Sequence, residues 1–247
     1  MPVRAFDLRV GTAGWQVPRA LADEFAGAGT HLARYAAHMT ACEINTSFYR
    51  PHARATYEKW AAQTPPGFRF AVKLPKAITH VARLRGAAPA LDAFLQQVGG
   101  LGDRLGCLLV QLPPSLAFDE AVVGAFLLAL RARHGGAVAL EPRHASWFAP
   151  AADALLAAHG VARVLADPVL HPGGAAPGGS ARRIYLRLHG SPRVYYSGYA
   201  ADWLQVLAAR IAQARDQADV WCIFDNTAAG HALPDARALQ RALAAID

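Results

Sequence analysis

The side chains of this sequence that could do chemistry stand at the ends of short apolar runs. The ionisable and amide residues found there are Glu43, Asn45, Lys73, His80, Gln111, Glu141, Arg143, Asp167, Arg187, His189, Asp225 and Asn226. In an extended strand, residues two apart lie on one face, so Arg187 and His189 should point the same way. A buried polar side chain costs free energy unless it is paired. A single residue of this kind is explained as well by a salt bridge inside a barrel as by a functional role. The whole set together indicates a functional site.

Part of this set could transfer protons. General acid–base catalysis needs titratable groups in different environments, and we predict that Glu141, Asp167 and His189 are these groups. Lys73 is a fourth catalytic candidate, because burial in an apolar interior lowers the pKa of lysine. A lysine with a lowered pKa can act as a base or as a Schiff-base nucleophile. The sequence gives the Schiff-base alternative no further support.

The basic and amide side chains of the set predict a site for a small polar or anionic metabolite. Lys73, Arg143 and Arg187 would hold the anion, because arginine matches carboxylate and phosphate groups with two donors. The opposing interpretation is that the two arginines only neutralise the nearby glutamates. The other predicted ligand-binding residues are Glu43, Asn45, His80, Gln111, Trp147 and Asn226.

Two alternatives remain open. A metal site would use Glu141, Asp167, His189 and Asp225, an order similar to that in sugar epimerases and in barrels of the endonuclease-IV type. Arg143 and Arg187 stand two residues from two of these supposed ligands, Glu141 and His189, and would compete for the carboxylates. We therefore expect no metal and no other cofactor.

A nucleic-acid-binding or phosphodiester-processing protein, with or without a metal, is the second alternative. It is favoured by the net charge of +7 and by aromatic residues that could stack on bases. The arginines outside the set are scattered along the chain, which favours the small ligand.

The apolar runs that carry these residues are predicted strands. They are Leu8–Gly11, Ala41–Ser47, Phe68–Leu74, Gly106–Leu112, Ala137–Glu141, Val161–Asp167, Arg183–His189 and Asp219–Asp225. They recur about every 30 residues, the length of a βα unit, with helical patterns between them. This alternation predicts an α/β fold, and eight units favour a single TIM-type (β/α)8 barrel with its active site at the carboxyl ends of the strands. Pro168–Ser180, between strands six and seven, is rich in proline and glycine and predicts an irregular loop, a candidate flap over the mouth.

Length and composition agree with one barrel domain over residues 1–247. The chain is 53% hydrophobic and 17% charged, which excludes a disordered protein. Its three distant cysteines predict reduced, buried thiols. No signal peptide or membrane-spanning run is evident, so we expect a cytoplasmic protein without membrane contact. The oligomeric state is left open.

The sequence also resembles a known family. The motifs that carry the resemblance are GTAGW at 11–15, EINTSFY at 43–49, FRFAVK at 68–73, TH at 79–80, QLPP at 111–114, EPRHASWF at 141–148, RLHG at 187–190 and FDNT at 224–227. In this order they are similar to the YecE-like family, a domain of unknown function (DUF-seventy-two). The resemblance implies a TIM-type barrel over nearly the whole chain and no established activity. Asp225 departs from the family pattern, which usually has asparagine at this position.

Together these observations predict an uncharacterised TIM-barrel enzyme. It would act on a small polar or anionic metabolite by metal-independent acid–base chemistry at the carboxyl-terminal mouth of the barrel. Nucleic acid is the less favoured partner.

Overall fold

The computed structural model describes residues 6–246 of the chain, so the predicted domain 1–247 extends past it at both ends. Its strands are β1 (Leu8–Ala13), β2 (Ala41–Ile44), β3 (Arg69–Lys73), β4 (Leu105–Gln111), β5 (Val138–Glu141), β6 (Val161–Arg163), β7 (Leu165–Asp167), β8 (Gly178–Gly179), β9 (Arg183–Leu188) and β10 (Asp219–Phe224). Its α-helices are α1 (His31–Ala36), α2 (Thr46–Tyr49), α3 (Arg54–Ala62), α4 (Ala88–Val98), α5 (Glu120–Arg131), α6 (Pro150–Ala158), α7 (Ala201–Ala214) and α8 (Ala232–Ala244).

The strands form one curved sheet that almost closes into a barrel. Its order is β7-β9-β10-β1-β2-β3-β4-β5-β6-β8, and every pairing is parallel except that of β6 with β8. Only Val164 separates β6 from β7, and its amide still donates to Leu140 O at 2.9 Å. The predicted sixth strand is therefore bent into two halves, of which the first pairs with β5 and the second with β9. The α/β barrel-like fold is confirmed, with ten strands in the described chain.

The side chains that alternate along the strands face two different environments. One set packs under the helices as the main hydrophobic core. A second, separate cluster fills the barrel interior with Ala41, Ala71, Cys107, Leu109, Ala139, Val164, Tyr185, Trp221 and Ile223. Two positions further along the same strands stand Glu43, Lys73, Gln111, Glu141, Arg187 and Asp225. Because alternate residues share a face, these polar side chains lie above the apolar interior layer, toward the carboxyl ends of the strands.

Helix α5 illustrates how the sequence builds the outer layer. Asp119 caps its first turn, because its side chain accepts a hydrogen bond from the Val122 amide at 3.1 Å. The residues that the helix buries follow at spacings of three and four: Val123, Phe126, Leu127 and Leu130. Among residues 6–246, every helix is too short or too polar to cross a lipid bilayer.

The segment predicted as an irregular loop, Pro168–Ser180, is only partly irregular. It contains a 3₁₀ turn at Pro172–Gly174, and β8 pairs antiparallel with β6. The Gly179 amide also donates to Asp153 Oδ1 of α6 at 3.2 Å. The second half of the segment is thus attached to the barrel wall, which corrects the expectation of one continuous flap.

We expect Gly11→Ala to destabilise the fold. A Cβ atom at this position would stand 2.1 Å from the Ala41 carbonyl oxygen on the neighbouring strand, so the backbones of β1 and β2 must separate. Overpacking of this kind costs about 1–3 kcal/mol, measurable by urea denaturation. Gly67→Ala is the matched control, because a Cβ there meets nothing within 4 Å. Equal stability of the two variants would contradict the close approach of β1 and β2.

Candidate functional site

The centre of the site is the guanidinium group of Arg187, which is fully buried on β9. Its Nε and Nη2 atoms donate to the two carboxylate oxygens of Glu43 at 3.1 and 2.6 Å. Nη2 also donates to Asp225 Oδ2 at 2.8 Å, while Nη1 donates to Glu141 Oε2 at 2.5 Å and to Gln111 Oε1 at 3.4 Å. An arginine side chain has five N–H donors, and these contacts use them all. Arg187 therefore has no donor left for a ligand, and the structure gives its predicted role in holding an anion no support.

Electrostatics keep Arg187 charged in this enclosure. Burial alone would lower its pKa, but the carboxylates of Glu43, Glu141 and Asp225 outweigh burial and raise the pKa well above its ordinary value. Glu43 is itself fully buried, and its Oε2 also accepts from the Tyr185 hydroxyl at 2.9 Å. Glu43 has no exposed surface, so the structure gives the ligand-binding role predicted for it no support. Glu43 anchors Arg187 instead.

His189 lies at the edge of this cluster, between two carboxylates. Its Nε2 atom is 3.0 Å from Glu141 Oε1. Its Nδ1 atom is 3.2 Å from Asp225 Oδ2, but this second contact lacks the alignment of a hydrogen bond. Burial lowers the pKa of the imidazole, but Glu141 and Asp225 outweigh burial, and the net shift is upward. The structure brings His189 and Glu141 together as the sequence predicted. Their catalytic roles stay predictions.

Glu141 connects the buried cluster to the mouth. Its Oε1 atom also accepts from Arg143 Nη2 at 2.6 Å. Burial raises the pKa of this carboxyl group, but Arg187, His189 and Arg143 outweigh burial and hold it well below its ordinary value. Glu141 is therefore a permanent anion that orients three cationic groups.

Asp167 does not join this cluster. Its Oδ1 atom accepts from the Tyr199 hydroxyl at 2.9 Å, and the same hydroxyl accepts from the Gly190 amide at 2.9 Å. Burial and the Asp167 carboxylate raise the pKa of Tyr199. The contacts of Asp167 fix the chain that follows β9, and within the described residues no ion pair joins it to His189.

Lys73 differs from every other charged residue of the cluster, because its charge is unpaired. It ends β3 with 8% of its surface exposed, and within residues 6–246 no carboxylate lies at ion-pair distance from its Nζ atom. The nearest aromatic neighbour is Phe48, whose ring centroid is 4.2 Å from Nζ. Burial and the positive charge of Arg187 lower the pKa of Lys73 to about 8, despite the carboxylates further away.

His80 and Arg143 stand beside Lys73 at the mouth. The His80 ring packs against the same Phe48 ring, with 4.8 Å between the centroids, and its Nδ1 is 2.8 Å from Thr79 Oγ1. Burial, Lys73, Lys76 and Arg143 all lower the pKa of His80. The side chain of Arg143 is 15% exposed, and its Nε atom is buried without a hydrogen-bond partner.

Unsatisfied amide groups complete the site. Asn45, which precedes α2, has a buried Oδ1 atom without a hydrogen-bond partner. Buried polar atoms in folded proteins are normally paired, so an unpaired one at the mouth indicates a position for a ligand or water. Gln111 is half-buried, and its Oε1 atom accepts a hydrogen bond from Arg187.

Two predicted ligand-binding residues do not reach the mouth. Trp147 is fully buried, packs on Phe118 and donates its indole N–H to Leu116 O at 2.8 Å. Asn226 is also fully buried, and its Nδ2 atom donates to Ser197 O and Asp235 Oδ2. These two side chains hold loops to the barrel and have no exposed surface, although the buried Oδ1 atom of Asn226 has no hydrogen-bond partner among the described residues. Their ligand-binding roles stay predictions.

Sequence reasoning missed Tyr185, Phe48 and Tyr199. Tyr185 stands two residues before Arg187, so the spacing rule that paired Arg187 with His189 could have included it. Phe48 lies in the quoted EINTSFY motif, but no spacing rule places its ring under Lys73. Tyr199 carries no signal in the sequence, because its contact with Asp167 depends on the path of the loop after β9.

The carboxylates of the cluster are arranged around an arginine. Within residues 6–246, no three histidine, cysteine, aspartate or glutamate side chains are grouped as a metal ion would require. Of the four residues in the alternative metal set, Asp167 is bound to Tyr199, while Glu141 and Asp225 bind Arg187. His189 lies between these last two carboxylates. The geometry therefore gives the metal alternative no support.

Fold and site together define an α/β barrel protein with a buried ionic cluster at the carboxyl ends of its strands. The model of the family described as "Protein of unknown function DUF72" matches residues 9–246, and the chain belongs to this family. It is 29% identical over 150 residues to the UPF0759 protein YunF of Bacillus subtilis (strain 168). This match covers 57% of this chain and 52% of that protein. The chain thus spans about half the length of the curated relative that it matches.

Solved structures of the same family have the same fold. A DUF72 family protein from Thermotoga maritima MSB8 superposes with a TM-score of 0.81 at 24% identity, over 96% of this chain and 99% of that one. A DUF72 family protein from Enterococcus faecalis V583 superposes with a TM-score of 0.80 at 20% identity, over 96% of this chain and 95% of that one. The predicted family is confirmed, and the family is uncharacterised.

We expect Glu43→Gln to destabilise the fold strongly. It removes one partner of a buried ion pair and leaves part of the Arg187 charge uncompensated, which costs about 3–5 kcal/mol. Glu58→Gln is the matched control, because it breaks the exposed Arg54–Glu58 pair, worth about 0.3–0.5 kcal/mol. Urea denaturation measures both. A small effect of Glu43→Gln would contradict the enclosed cluster.

The raised pKa of His189 predicts the sign of a pH dependence. A group whose pKa is higher in the folded state contributes stability that is complete below its unfolded pKa and is lost as pH rises through the folded pKa. The difference in free energy of unfolding between wild type and His189→Asn should therefore shrink as pH rises above the unfolded pKa of about 6.5 and through the raised folded pKa. Denaturation at several pH values measures it. A difference that stays constant or grows would show that the carboxylates do not favour the imidazolium.

Proposed function

We propose that this protein is an enzyme that binds a small anionic metabolite at the mouth of the barrel and acts on it by metal-independent acid–base chemistry. Lys73 and Arg143 bind the anionic group, and Lys73 is the residue best suited to transfer a proton. The observation that carries the proposal is the buried ammonium group of Lys73, which has no carboxylate partner among the described residues.

The charge distribution supports an anionic ligand. A charge that is removed from water is normally paired, and the carboxylates of Glu43, Glu141 and Asp225 are already engaged by Arg187 and its neighbours. Lys73 and the unpaired Nε side of Arg143 are left at the mouth. A carboxylate or phosphate group bound there supplies the missing negative charge.

The electrostatic field at the mouth supports the same conclusion. The pKa of His80 is lowered by burial and by three cations, Lys73, Lys76 and Arg143. These residues come from β3, the turn after it and the chain after β5. Positive groups from separate elements therefore act on one point, which is where an anion is stabilised most.

The pKa of Lys73 supports proton transfer. A general base works best when its pKa lies near the working pH, and a value of about 8 leaves a useful fraction of neutral amine at neutral pH. Glu141 is a weaker choice for this step, since three cationic groups hold it ionised.

Binding of a single-stranded nucleic acid is a second candidate, favoured by exposed tyrosines near the mouth. Tyr49 follows β2 and is 79% exposed. Tyr195 and Tyr196 follow β9 and are 40% and 45% exposed. Arg193 stacks on the Tyr196 ring at 3.9 Å, and aromatic and arginine side chains of this kind bind bases. Affinity for short DNA or RNA that falls steeply with salt concentration would favour this candidate.

The anion proposal predicts that Lys73→Met weakens the binding of inorganic phosphate about tenfold or more, because charged hydrogen bonds contribute about 1.5–3 kcal/mol. Arg143→Met should act in the same direction. Titration calorimetry measures both. The matched control is Lys59→Met, which removes the same charge from the exposed face of α3. No phosphate binding by wild type, or equal losses in the Lys59 and Lys73 variants, would contradict the proposal.

A further inference from the structure

We propose that Lys73 forms a Schiff base with a small aldehyde or ketone that carries a carboxylate or phosphate group. The inference rests on the proposed function, because it uses the same mouth and the same anionic group. It adds the chemical class of the substrate and the covalent step.

The surroundings of Lys73 fit a nucleophilic amine. Its Nζ atom has neither an ion pair nor a hydrogen bond among residues 6–246, so no partner has to be displaced before it reacts. The Phe48 ring covers one side of Nζ at 4.2 Å, and 8% of the residue stays exposed. Burial and Arg187 lower the pKa of the amine to about 8, which supplies the neutral form that attacks a carbonyl group.

Lys73 is also distinct among the lysines of the chain. The others are Lys59 and Lys76, and both are exposed to solvent. Neither contacts the Arg187 cluster. A reaction that selects one of the three lysines therefore reports on the environment at the mouth.

The cations beside Lys73 determine the kind of carbonyl compound. Arg143 is bound to Glu141 through Nη2, while its buried Nε atom has no partner. A guanidinium group with a free donor binds a carboxylate or phosphate. A carbonyl compound that carries such a group would be held by Arg143 while its carbonyl carbon faces Lys73.

His80 is the group that can move protons during this step. It shares the Phe48 ring with Lys73, which keeps the two side chains near each other. Its Nδ1 atom is engaged with Thr79, so its Nε2 atom remains for the substrate. Burial and the three neighbouring cations lower its pKa, which favours the neutral imidazole.

The proposed step balances without an oxidant, reductant or metal. The lone pair of neutral Nζ forms a C–N bond, and the carbonyl π electrons move to oxygen, which takes up a proton from solvent. This proton replaces the one that the Lys73 ammonium group released to solvent when it became neutral. Nitrogen then gives up a proton, which His80 accepts. The carbinolamine oxygen takes that proton and leaves as water, while the nitrogen lone pair forms the C=N bond of the iminium ion.

Reductive trapping tests the step. The protein is incubated with glyoxylate or with glycolaldehyde phosphate, each in the presence of cyanoborohydride, and the modified lysines are identified by peptide mass mapping. Lys73 should be labelled about tenfold or more above Lys59, because far more of its amine is neutral than in an ordinary lysine. Inorganic phosphate should suppress this label. The two compounds distinguish a carboxylate-bearing from a phosphate-bearing substrate.

Two variants separate the covalent step from anion binding. Lys73→Arg keeps the positive charge and removes the nucleophile, so it should bind phosphate and lose the label. Lys59→Arg should keep both. His80→Gln should slow the labelling of Lys73.

The outcomes are distinguishable. Phosphate binding without selective labelling of Lys73 would overturn the Schiff-base inference and leave the proposed function intact. Equal labelling of all three lysines would also overturn the inference. Failure of wild type to bind phosphate or either carbonyl compound would overturn both.

Discussion

The enclosure of Arg187 by three carboxylates is the interaction on which the rest of the site depends. Glu43 lies on β2, Glu141 lies on β5 and Asp225 directly follows β10, so one guanidinium group ties together strands from around the barrel. Burying charges is costly even when they are paired, and apolar residues of similar volume often stabilise a protein as well or better. Stability alone therefore does not explain the cluster. Its consequence for function is that it fixes the charges next to the mouth.

The cluster divides the polar residues into a closed half and an open half. In the closed half, Arg187 and Glu43 satisfy each other and have no solvent exposure. Glu141 forms the boundary, because it binds Arg187 on one side and Arg143 on the other. In the open half, Lys73 keeps an uncompensated charge. The chemistry of the site follows from this division, since a ligand can meet only the groups that the cluster leaves free.

The sequence predicted the fold and the location of the site more fully than the roles of individual residues. The recurrent apolar runs gave the barrel, and the two-residue spacing placed Arg187 on the same strand face as His189. Partner choice depends on distances across the barrel, which spacing along one strand does not contain. Arg187 therefore seemed available for an anion, although acceptors from other parts of the barrel engage all of its donors. The burial of Trp147 could not be predicted for a related reason, because only the packed structure shows its indole N–H donating to Leu116.

The central claim is that Lys73 carries an uncompensated charge that an anion can neutralise. Its most direct test is an NMR titration of protein with isotopically labelled lysine side chains, in which Lys73→Arg identifies the Lys73 signal. We predict that Lys73 titrates with a pKa of about 8 and that phosphate shifts this value upward, because a bound anion stabilises the ammonium form. A Lys73 signal that titrates at about 10.4, as in a model peptide, and does not respond to phosphate would contradict the account.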